Sequence, residues 1–231
     1  VPTLMCSCCA APLAVGLRRA KASTSAVLAF WLGNPALNPV VLVFCLAVLP
    51  WPWAVLRFGA GLLVVVAAVG LAGWLGRRRA VAETVPADVP EPEPDTRPVL
   101  VRFGAVLAGL AVRLLPEYLA VVFVLGTFRG VLFPADGGSG WAAVAVLLLL
   151  LVAGLALPVP TGGEVAVVAA ALAAGLGAPA AAVLLVTLPV LSLPSLLMVR
   201  HVFPARLLAG TTGVVAVVAL AGAGAAAVLT G

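Results

Sequence analysis

The stretch SAVLAFWLGNPALNPVVLVFCLAVL, residues 25–49, decides the fold. It carries no charge, and as a helix it would reach about 37 Å, enough to cross the roughly 30 Å hydrocarbon core of a bilayer. It also lacks the strict alternation of a half-buried strand. Its middle, Gly33-Asn34-Pro35-Ala36-Leu37-Asn38-Pro39, breaks that helix. Each proline removes a backbone donor and frees a carbonyl. Such groups need partners in lipid, so a broken helix faces a cavity or other protein. Asn34 and Asn38 are placed to supply partners or to meet a solute; the alternative is a kink satisfied by neighbouring helices.

The rest of the chain has the same character. Of its 231 residues 64% are hydrophobic and 9% are charged, with a mean hydropathy of +1.27. A soluble domain of this size cannot hide that much apolar surface. Only helices or a closed barrel satisfy the backbone in lipid, and the long Leu-, Ala- and Val-rich runs read as helices. The net charge of +5 does not point to nucleic acid. Arg18, Arg19 and Lys21, then Arg77, Arg78 and Arg79, then Arg200 and Arg206 stand at the ends of apolar runs. Cytoplasmic loops carry such residues.

Further spans are expected near residues 54–76, 114–133, 141–157, 180–199 and 207–229. Cysteine-bearing residues 2–17 and residues 158–176 form two further membrane segments. Trp51-Pro52-Trp53 reads as a turn with aromatic anchors. Residues 80–98, rich in Pro, Glu and Asp, read as an extramembrane linker, and residues 99–113 as a short interfacial helix. Residues 6–39 and 160–194 share a layout, with Pro35 and Pro39 answering to Pro189 and Pro194, and Asn38 to Ser192. The loop at residues 18–21 is basic and its counterpart at 174–178 is uncharged. One span later this reverses, since residues 51–53 are uncharged and 200–206 are basic. Matching elements thus have opposite orientation, as in an inverted repeat. The expected fold is therefore an all-α polytopic transmembrane helix bundle built from an inverted-topology repeat with broken helices. Residues 1–79 form the first repeat, 80–98 a cytoplasmic linker and 99–231 the second repeat. Five membrane segments in the second half against three in the first lead to the expectation that about two helices precede Val1.

Three of the four cysteines, Cys6, Cys8 and Cys9, fall within four residues. Ten residues before the basic loop, they lie about 15 Å deep, near the bilayer midplane. Thiolates suit soft ligands such as monovalent copper, zinc or trivalent arsenic; cysteine is equally a small apolar residue for close helix packing. Cys6 and Cys9 have C-x-x-C spacing, but no soluble βαβ unit surrounds them to make a redox motif. Glu164 is the most informative carboxylate. It lies about ten residues from an uncharged loop, and an ionisable group at that depth is read as functional. It is expected to carry a proton, balance a cation or cap the helix after Gly162-Gly163, with Thr161 beside it. Arg113 and Glu117 read as an interfacial i,i+4 pair, and His201 as a loop residue without chemistry. No Walker loop is present, and one histidine supports no Ser-His-Asp set, so ATPase and enzyme readings lack parts.

Residues 2–8 (PTLMCSC) with Pro12, the basic loop at 18–21 and residues 33–39 resemble the signature of the DUF318/UPF0718 predicted permeases, which include ArsP-type organoarsenical efflux permeases. The second half, from Leu155 through residues 160–164 (PTGGE) to Pro189 and Pro194, is similar to their C-terminal half. Two departures stand out: Cys9 occupies a position where these permeases commonly have a small residue, often Gly, and their helices before the cysteine turn have no counterpart in this sequence. The resemblance implies secondary export without ATP or cofactor, in the bacterial inner membrane, with Cys6 and Cys8 as candidate ligands of a trivalent organoarsenical. The full candidate substrate set is Cys6, Cys8, Cys9, Asn34, Asn38, Thr161, Glu164 and Ser192, converging near the midplane. The expected partners are the lipid bilayer and a small-molecule or metalloid solute. The alternatives are a permease or channel for another small solute, and a membrane protein without autonomous transport.

Overall fold

The computed structural model of the chain describes residues 5–77 and 141–230, together with isolated positions between 98 and 112. The described residues form α-helices: α1 (Ser7–Arg19), α2 (Thr24–Ala36), α3 (Pro39–Val48), α4 (Trp51–Arg77), α5 (Trp141–Ala156), α6 (Gly163–Ala173), α7 (Ala178–Val190), α8 (Leu193–Val199) and α9 (Ala205–Thr230). The chain is a membrane protein by this architecture. Thr24–Val48, Trp51–Arg77, Ala178–Val199 and Ala205–Val228 are each long and apolar enough to cross a bilayer. The expected linker at 80–98, the span at 114–133, the Arg113–Glu117 pair and most of the interfacial helix at 99–113 lie outside the described residues.

The expected broken helix at residues 25–49 is present. α2 stops at Ala36 because Pro39 has no N–H to continue it. α3 starts afresh behind Asn38, whose Oδ1 accepts from the Val40 N–H (3.1 Å) and the Val41 N–H (3.5 Å). The second broken helix repeats this plan: α7 ends at Val190, the chain is extended at Leu191, and α8 begins behind Ser192. One expectation is corrected. Trp51, Pro52 and Trp53 are not a turn but the opening residues of α4. Proline fits a first helical turn, where its missing N–H would have no helical acceptor; the reversal falls at Leu49 and Pro50 instead.

The packing pattern is reciprocal between the halves. α1 lies against α2 and α8, while α6 lies against α7 and α3. α2 packs on α4 as α7 packs on α9; α2 also meets α7, and α4 meets α9. α5 adds to the second half by packing on α7. The loops sort by charge. Arg18, at the end of α1, places its guanidinium carbon 6.0 Å from the ring centre of Phe203, in the loop before α9. The two basic loops therefore share one end of the bundle. Leu49 and Leu176, from the two uncharged connections, and Trp53, in the first turn of α4, are buried in one cluster at the other end.

Close helix approach depends on particular glycines. A Cβ at Gly61 on α4 would meet the Ala36 carbonyl oxygen at 2.9 Å and Leu37 Cδ2 at 3.1 Å, whereas none of the described residues lies within 4 Å of one at Gly59. Gly61→Ala is therefore expected to destabilise the bundle by about 1–3 kcal/mol through overpacking. Gly59→Ala should be neutral or slightly stabilising, since Ala is the better helix former. Thermal unfolding in detergent checks this: equal midpoints for the two variants would show that α4 does not approach the helix break this closely.

Candidate functional site

Most of the candidate residues stand at or beside the starts of short helices. α1 and α6, at 13 and 11 residues, are too short to cross a bilayer core. α3 and α8 start at the two helix breaks.

At the start of α1, Cys6 is extended and its carbonyl accepts from the Cys9 and Ala10 N–H groups. This first turn brings Cys6 Sγ and Cys9 Sγ to 3.0 Å as free thiols. Cys8 turns the other way, with its Sγ 3.1 Å from Ser192 Oγ. Ser7 Oγ lies 3.4 Å from the same oxygen. The break before α8 is thereby tied to α1. Its own turn is closed by the Ser192 N–H donating to Ser195 Oγ (3.2 Å) and Ser195 Oγ donating to the Ser192 carbonyl (2.8 Å).

At the start of α6, Gly162 adopts φ 87°, a left-handed conformation that a side chain would strain, and this turns Glu164 inward. Its carboxylate meets Arg57 Nη2 at 2.7 Å, and both side chains are only 2% exposed. Arg57 comes from α4, about 9 Å from that helix's start. The same Nη2 donates to the Pro35 carbonyl (3.2 Å), and Nη1 donates to the Leu185 carbonyl (3.4 Å). Both acceptors are left over by prolines. In a continuous helix the Pro35 carbonyl would receive the N–H of residue 39 and the Leu185 carbonyl that of residue 189, and both those residues are proline. The sequence reading missed Arg57, although the signal was present: a single charge within an otherwise apolar span.

A narrow pocket lies beside this ion pair. It is lined by Met5, Cys6, Pro35, Val159, Thr161, Glu164 and Pro189. Its free space holds about one water molecule. Thr161 is exposed and Glu164 buried, so the pocket runs from the rim of the described bundle to the carboxylate. Of the candidate residues, Cys6, Thr161 and Glu164 meet here. Cys9 adjoins Cys6 from an exposed position. Cys8 and Ser192 pair with each other beside α1. Asn38 does not line the pocket; its Oδ1 caps α3, and its buried Nδ2 has no partner among the described residues. Asn34 is half-buried in the last turn of α2. Among the described residues no group of three or more His, Cys, Asp or Glu side chains is arranged to hold a metal ion. Chemically the pocket offers soft sulfur from Met5 and Cys6, a hydroxyl and a charged carboxylate.

The chain is similar to UPF0718 protein YraQ of Escherichia coli (strain K12). It is 40% identical to YraQ over 218 residues, which is 94% of this chain and 62% of YraQ. It therefore spans less than two thirds of the length of YraQ. The name YraQ carries states a family and no solute. No family model matches the chain. No solved structure matches it.

Proposed function

We propose that the protein is a secondary permease of the UPF0718 family that exports a small thiophilic solute, such as a trivalent organoarsenical, through a site between two inverted repeats. The observation that carries this reading is the pocket itself. It brings Cys6 of the first half together with Thr161 and Glu164 of the second, and it is walled by the corresponding prolines Pro35 and Pro189. A soft solute centre would bind the Cys6 thiol with Met5 near it. The space for about one water molecule means that the halves must part to admit a solute, as alternating access requires.

The reciprocal contacts support the inverted repeat, since α1 on α8 and α6 on α3 exchange under a two-fold relation. The orientation follows from charge. The basic loops at residues 18–21 and 200–206 are expected in the cytoplasm, and Leu49 and Pro50 outside. Single cysteines introduced at positions 20 and 50 of a cysteine-free form should label from opposite sides of the membrane. Labelling of both from one side would remove the proposed topology. Transport is tested by exposing cells that express the protein to a panel of thiophilic and non-thiophilic solutes. Resistance confined to thiophilic members is expected, and no difference from cells without the protein would refute the reading.

A further inference from the structure

Arg57 is not a wall of the pocket, yet it holds three elements around it. Its guanidinium binds Glu164 of α6, the proline-freed Pro35 carbonyl of α2 and the proline-freed Leu185 carbonyl of α7. Among the described residues its buried Nε has no partner. We propose that Arg57 is the positioning residue that links Glu164 to both helix breaks, so that a solute group drawing Glu164 away from the guanidinium loosens the two breaks together and widens the pocket. The proposal rests on the reading of this pocket as a solute site.

The physical argument has two parts. A planar guanidinium offers several donors at fixed angles and bridges separate acceptors, which an ammonium on a flexible stem does not do. Its bond to the carboxylate is charge-assisted and the strongest of the three. Once Glu164 is drawn off, a buried cation is left uncompensated and must reorient. The carbonyls of Pro35 and Leu185 then lose their donor in a buried setting, and both breaks must shift to find partners. Pro35 and Pro189 are pocket walls, so either shift changes the pocket's width. Coupling of this kind is reciprocal: the state of the breaks also sets how firmly Glu164 is held.

The experiment needs no transported solute. In native membrane vesicles, the full chain carries Cys6 as its sole cysteine (Cys8→Ser, Cys9→Ser, Cys45→Ala), and the rate of Cys6 alkylation by N-ethylmaleimide is measured. Arg57→Lys keeps the charge opposite Glu164 but not the fork, and should raise the rate about tenfold. Adding Pro189→Ala restores the helix's own donor to the Leu185 carbonyl and should return most of that increase. A general loss of stability would not be repaired at that position. Glu164→Gln, which leaves Arg57 a weaker acceptor, should also raise the rate, and it gives the readout if the lysine variant does not insert. Alkylation at the parent rate in Arg57→Lys, or in Glu164→Gln where the lysine variant does not insert, overturns the proposal, as does a rate increase untouched by Pro189→Ala. If these rates behave as expected while no solute in the panel is moved, the coupling stands and the permease reading falls.

Discussion

Replacing Arg57 by Met is expected to destabilise the bundle by about 3–5 kcal/mol, because it strands the carboxylate of Glu164 in a buried site. Both partners are 2% exposed, so solvent cannot screen the remaining charge. The Pro35 and Leu185 carbonyls lose their donor in the same step, and each unpaired buried group costs a further 1–3 kcal/mol or so. Adding Glu164→Leu removes the stranded charge and should recover part of the loss, since a buried ion pair is often matched by apolar groups of similar volume. Recovery should stop short of the parent protein, because the two carbonyls stay unpaired. Denaturation in detergent micelles across the four members of this double-mutant cycle measures the coupling. A single Arg57→Met variant as stable as the parent would mean that the ion pair and its carbonyl contacts contribute little.

The second large effect is on transport. On the proposed permease reading, Cys6→Ala removes a candidate soft ligand from the pocket wall and is expected to cut movement of a thiophilic solute by at least about tenfold, the scale of losing a group that supports metal binding. Cys45→Ala is the internal control. Cys45 is fully buried on α3 and is not among the residues lining the pocket. Its replacement should leave transport near the parent rate. Cells expressing each variant at matched levels, scored for accumulation of the solute, give the comparison. Equal loss in both variants would make the cysteines packing residues with no special role for Cys6.

Much of the fold is legible in the sequence because lipid leaves few choices. The charge-free run at residues 25–49 and the apolar run at 54–76, with its single Arg57, can only be helices, and the prolines at 35, 39, 189 and 194 mark where backbone donors run out. The parallel between Asn38 and Ser192 also holds locally, as each stands at the start of the second arm of a broken helix. The lining of the candidate pocket was legible in part. Depth counts brought Cys6, Thr161 and Glu164 to one level, and these three line the pocket. Depth says nothing about direction, however. The counts could not show that Cys8 turns toward Ser192, or that the Asn38 side-chain Oδ1 accepts from the Val40 N–H. Arg57 was missed because the span around it was read as a whole, and the average of an apolar run hides one cation. Trp51-Pro52-Trp53 was misread because proline marks both turns and helix starts. The N–H groups of a first turn are free in either case, so local sequence does not separate the two.

Everted membrane vesicles test the central claim most directly. Vesicles carrying the protein, supplied with a proton gradient and no ATP, are given a trivalent organoarsenical, and the amount retained inside is followed over time. A permease with its site at Cys6, Thr161 and Glu164 predicts accumulation in these vesicles, and retention near background when Cys6 is replaced by Ala. Retention equal to that of vesicles without the protein, or unchanged by Cys6→Ala, would contradict it.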